Sequence, residues 1–86
     1  MKIEKKSWPE MFDRIAKGEK TFDVRLADFD CKAGDVLVFR EWNPDSKRYT
    51  GRSTEKRIKY VMKTKEAKFW TESDVKRYGF LVMGLE

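Results

Sequence analysis

Lys20, Asp23 and Arg25 stand close together in the stretch "GEKTFDVR", residues 18–25. A carboxylate flanked by an ammonium and a guanidinium can do two kinds of chemistry. The cations can meet a phosphate or a base edge, with Asp23 fixing them or accepting from a base amino group. Alternatively the three pair among themselves, or Arg25 pairs with Asp35, as a structural clasp. Asp23 and Arg25 are two positions apart, so on a strand they share one face. Catalysis by Lys20 would require it to shed its proton near neutral pH, and a neighbouring carboxylate favours the charged ammonium instead. The chain has no histidine, which removes the commonest general base, the Ser-His and Cys-His nucleophile pairs and most zinc and iron sites. Cys31 is the single cysteine; it can form no internal disulfide, and with no base beside it reads as an ordinary thiol.

A second group of candidates is basic and aromatic. From Lys47 to Lys65 the chain carries Lys47, Arg48, Arg52, Lys56, Arg57, Lys59, Lys63 and Lys65, against Glu55 as the one acid. Such a run is either a solvated face that discourages edge pairing or a track for a phosphate backbone, with Arg52, Arg57 and Lys59 as candidate contacts. Arg40 and Trp42 end an apolar run just before it. Trp42 and Tyr49 are candidates for base stacking, worth about 1–3 kcal/mol per base; Trp8 is expected in the core. The net charge of +5 and pI of about 9.4 favour polyanionic partners, nucleic acid first.

These residues need elements to hold them. The 86 residues suffice for one domain over 1–86 with one modest core, and 14% aromatic content argues for a folded chain despite 41% charged residues. Residues 2–6 read as a strand. Ser7 and Glu10 have capping-box spacing, Pro9 suits a first helical turn, and Trp8, Met11, Phe12 and Ile15 make one apolar stripe, so a helix is predicted over 8–17 and ended by Gly18. Alternation predicts strands at 20–26 and 52–63. Gly34-Asp35 turns the chain into a central strand at 36–42, and "NPDSKRYTG" makes a hairpin. Thr71 can cap a short helix ending at Gly79, and 79–86 reads as a last buried strand. Five strands in so small a chain are expected to close into a mixed barrel, with the N-terminal helix plugging one end. No run of about 18 apolar residues is present and no signal segment follows the basic start, so a cytoplasmic protein away from membranes is expected.

The segments "AKGEKTFDVR", "KAGDVLVFREW", "YTGR" and "GFLVMGL" together resemble the ASCH group of PUA-like domains, and within it a short bacterial and phage family of unknown function. The resemblance spans the chain except residues 64–78, and its most specific piece is Gly18, Lys20 and Arg25 followed by Gly34-Asp35. It implies an α+β, mainly β, PUA-like barrel with a cleft beside the helix, binding RNA or a nucleotide-like ligand. One ASCH branch is an amidohydrolase acting on acetylated cytidine through a lysine, a threonine three residues on and a distant glutamate. Lys20 matches the lysine; Asp23 occupies the threonine position and offers no hydroxyl nucleophile; Glu66 and Glu72 lie in the unmatched segment. The expectation is therefore an RNA- or nucleotide-binding domain using Lys20, Asp23, Arg25, Arg40, Trp42, Arg52, Arg57 and Lys59, with no metal and no cofactor. The alternatives are a small hydrolase, amidohydrolase or ribonuclease, with Lys20 catalytic, and a protein-interaction module with a protein partner.

Overall fold

Pro9 opens the first helix, where its missing N–H goes unneeded, and the Phe12–Ile15 spacing gives that helix one buried edge. The computed structural model describes residues 1–66 and 68–86. In chain order it has β1 (Lys2–Ser7), α1 (Pro9–Ala16), β2 (Val36–Asn43), β3 (Arg48–Arg57), a 3₁₀ turn at Thr64–Glu66 and α2 (Glu72–Tyr78). The strands form one mixed sheet in the order β1-β2-β3, β1 parallel to β2 and β3 antiparallel to it. α1 lies in the connection between the parallel pair, as a parallel pairing requires of its crossover. Phe12 and Ile15 of α1 meet Phe39 of β2 in the buried core, with Leu37 packed beside them. Two guanidinium groups roof this small core: Arg52 lies over the Phe12 ring at 4.9 Å and Arg25 over Phe39 at 5.8 Å.

Several expectations shift. Ser7 does not cap α1: it is the last residue of β1, buried and in register with Glu41, so Trp8 takes the cap position without a side-chain bond. Trp8 is 49% exposed and lies outside the core, because the buried face of α1 narrows to Phe12 and Ile15. Gly18 ends the helix as expected, with φ 81° and its N–H on the Ile15 carbonyl at 3.1 Å. β3 begins at Arg48 and stops at Arg57, earlier at both ends than its alternation suggests. Past that point Ile58 still exchanges backbone bonds with the turn before β2, its N–H on the Asp35 carbonyl and its carbonyl accepting from Gly34 N–H, both at 2.8 Å. The Thr71 cap is present, its hydroxyl accepting from Asp74 N–H at 3.1 Å.

The sheet is open rather than a closed barrel. Residues 20–26 and 79–86 form no strand. The first of these is held by side chains instead of a ladder, and the second leaves Leu81 86% and Leu85 83% exposed.

Asp35 explains why the Gly34-Asp35 turn is firm. Its side chain is buried and accepts from Lys32 N–H at 3.0 Å and from the Met1 amino group at 3.2 Å, with Lys32 Nζ at 3.6 Å. The Lys32 N–H holds its carboxyl below the ordinary carboxylate range against the opposing push of burial, and the Met1 ammonium and the Lys32 charge act in the same lowering direction. A carboxyl lowered in the folded state contributes stability above its unfolded value, near 3.9, and loses it as pH falls through the folded value. Asp35→Asn is therefore expected to melt at a lower temperature than the wild type at neutral pH, with the gap narrowing as the pH is taken below the carboxylate range. Thermal melts of both proteins across acid pH check this; a gap that stays constant with pH contradicts it.

Candidate nucleic-acid interface

Lys20, Asp23 and Arg25 do come together. Lys20 Nζ donates to Asp23 Oδ1 at 3.3 Å and Arg25 Nε to Asp23 Oδ2 at 2.6 Å. Arg25 Nη2 goes on to the Lys6 carbonyl of β1 at 2.9 Å. All three side chains are largely covered, at 14%, 18% and 27% exposure in chain order. With Arg25 also seated over Phe39, the arrangement acts as a clasp that fastens residues 20–25 to the edge of β1. Of the two readings open for this motif, the geometry builds the structural one for Arg25. Arg25 does not pair with Asp35, whose charges are met by Met1 and Lys32.

Arg52 is also occupied. Two strand pairs, Arg40 with Ser53 and Trp42 with Tyr49, bracket an irregularity in which β3 carries extra residues. Gly51, at φ 95°, allows it. The bulge turns Thr50 and Arg52 toward one buried carboxylate, Glu41: Thr50 Oγ1 donates at 2.7 Å and Arg52 Nη1 at 3.4 Å. Arg52 Nη1 also reaches Asp13 of α1 at 3.3 Å. Arg52 thus ties helix to sheet over the core. A buried carboxylate without such partners would be strongly destabilising.

The opposite face of the sheet carries the exposed chemistry. Leu37, Phe39 and Glu41 of β2 point toward α1, so by alternation Arg40 and Trp42 point away. Parallel register sets Lys6 beside Arg40. Trp42 and Tyr49 form an edge-to-face pair with centroids 5.0 Å apart. Lys6 Nζ lies 3.9 Å above the Trp42 ring and the Arg40 guanidinium 3.9 Å above Tyr49. Arg40 also reaches Glu4 at 3.8 Å, and Arg48 lies across from Asn43 at the hairpin end. The result is an aromatic pair with a cation on each ring, on an open face. Arg57 is exposed at the far end of β3, and Lys59 lies beyond the strand on the wall of a different groove. Of this cluster, Arg40 and Trp42 were candidates from the sequence and Tyr49 was weighed. Lys6 was not among them: the alternation Lys2, Glu4, Lys6 gives its face, but only the parallel register sets it beside Arg40 and over Trp42. Among the described residues no group of three or more His, Cys, Asp or Glu is placed to hold a metal ion, and no helix is long and apolar enough to cross a membrane. The Glu66 side chain lies outside the described residues.

The family model described as "Domain of unknown function (DUF3850)" matches residues 3–84, nearly the whole chain, and the chain belongs to that family. No curated protein and no solved structure matches it.

Proposed function

We propose that this DUF3850 chain binds RNA or a nucleotide-containing ligand on the open face of its sheet, with bases against Trp42 and Tyr49 and phosphates against Lys6, Arg40 and Arg48. The observation that carries this reading is the doubly capped aromatic pair. An exposed cation over a ring is worth about 0.5–1 kcal/mol, whereas a base stacked on that ring is worth about 1–3 kcal/mol. A base can therefore displace Lys6 or Arg40 from its ring at a net gain. The displaced cations, on long flexible stems, then swing to the phosphates of the same strand. Arg57 adds unspecific attraction along β3. Titration of a labelled single-stranded RNA at two salt concentrations tests the reading: affinity falls with salt, with a slope of about 0.7 per phosphate neutralised. Binding indifferent to salt contradicts it.

Lys20 enters as a separate anion contact, on the clasp at the edge of β1 and not on the Trp42–Tyr49 face. Its Nζ donates to Asp23 at 3.3 Å, and the two other N–H groups of an ammonium can face an anion. No turnover of acetylated cytidine is expected from the purified protein, while Lys20→Ala loosens residues 20–25 and weakens RNA binding. Turnover that disappears in Lys20→Ala would replace the binding reading with the amidohydrolase one.

We propose further that residues 20–26 and 79–86, which lie outside any strand in this structure, can pair as closing strands of a five-stranded PUA-like barrel of the ASCH kind. Two observations support it. A β-carbon at Gly84 would lie 3.0 Å from the Phe22 ring and 3.3 Å from Thr21 Oγ1, so the two segments run against each other. The run Phe80, Leu81, Val82, Met83 is apolar at every position, the pattern of a strand covered on both sides. Amide exchange is expected to be retarded at residues 80–85; exchange there at the rate of an unstructured chain contradicts closure.

A further inference from the structure

A separate groove of about 380 Å³ opens between the loop before β2 and the chain leaving β3, lined by Cys31, Lys32, Lys59, Tyr60 and Lys63 among others. We infer that this groove binds an oligophosphate group, carried either by a free nucleotide or by the end of an RNA chain. The inference does not rest on the Trp42–Tyr49 face. The groove is a shallow hollow, open to solvent. The lining contributes three lysines and no acid. Lys32 is partly answered by Asp35 at 3.6 Å. Among the described residues neither Lys59 nor Lys63 is ion-paired. Lysine ammonium groups bind phosphate as point charges, and several of them around one hollow suit adjacent phosphoryl groups better than a single one. The walls are joined in advance: Gly34 N–H bonds the Ile58 carbonyl and Ile58 N–H the Asp35 carbonyl, both at 2.8 Å. Tyr60, 78% exposed, offers a ring to a base attached to the phosphates.

Cys31, the single cysteine and half-buried in this groove, reports its occupancy. A bound polyanion covers the sulfur and disfavours its thiolate, the form that reacts. The experiment follows alkylation of Cys31 by neutral iodoacetamide in the full chain, with inorganic tripolyphosphate as probe and sodium chloride of equal ionic strength as control. Tripolyphosphate is expected to slow alkylation several-fold and the chloride control to leave it unchanged. In Lys59→Glu/Lys63→Glu, two surface changes that leave the core intact, the protection is expected to disappear. ATP and a 5′-triphosphorylated oligoribonucleotide then separate the two sources by which protects at the lower concentration. Alkylation of the wild type at one rate with and without tripolyphosphate overturns the inference, as does protection that persists undiminished in the double variant. The Trp42→Ala chain is expected to keep full protection, so failure here and failure of the aromatic face are told apart.

Discussion

Phe12→Ala is expected to leave the chain without a cooperative unfolding transition. Among the described residues the buried apolar core consists of Phe12, Ile15 and Phe39, at 2%, 3% and 2% exposure. Removing a buried phenylalanine ring costs about 3–5 kcal/mol, while a native domain holds about 5–15 kcal/mol in all and a small one sits low in that range. The ring is also the seat of Arg52 at 4.9 Å. Without it, the guanidinium that joins Glu41 to Asp13 loses its packing, and Ile15 is left as the one buried apolar contact of the helix among the described residues. Trp8→Ala, at a residue 49% exposed, is the control and is expected to shift the midpoint only slightly. Urea unfolding followed by circular dichroism measures both. A Phe12→Ala chain that melts cooperatively at the wild-type midpoint would mean that the core lies elsewhere.

The second large effect is on binding. Trp42→Ala is expected to weaken RNA affinity by about 5- to 150-fold, the equivalent of about 1–3 kcal/mol for one stacked base. The loss should be similar at low and high salt, because stacking neutralises no phosphate. Arg40→Ala should behave differently, reducing the salt slope by the share of one phosphate contact, about 0.7 on a single strand. Trp42→Phe keeps a π-face and should recover much of the affinity. The aromatic and cationic contributions are thereby separated by their salt dependence rather than by their size.

How far the sequence alone carries depends on whether a feature is local. The Gly18 helix end, the Thr71 cap and the Gly34-Asp35 turn follow from residues within a few positions of each other and are found, whereas of the stripe Trp8, Met11, Phe12 and Ile15 only Phe12 and Ile15 are buried. The place of Val36–Asn43 at the centre of the sheet was readable because the run is apolar on both faces at its start. Ser7 illustrates the limit: its spacing to Glu10 is that of a capping box, but pairing of β1 with β2 claims it first. Arg52 is one cation among eight in its stretch of sequence; only the bulge at Gly51 turns it onto Glu41 and Asp13. Lys6 reaches Trp42 because parallel register sets it beside Arg40, a fact no local pattern contains. Alternation over 20–26 pointed to a strand, yet the segment forms none: Val24 and Leu26 are exposed, and what fastens it is the Lys20–Asp23–Arg25 clasp on the Lys6 carbonyl.

The central claim is that the aromatic pair, and not bulk positive charge alone, holds the nucleic acid. Titration of one labelled single-stranded RNA with the wild type and with Trp42→Ala, each at two salt concentrations, tests it most directly. Two parallel lines of log affinity against log salt are predicted, the variant lying below the wild type by the stacking loss. Coincident lines would show that charge alone binds the RNA and would contradict the claim.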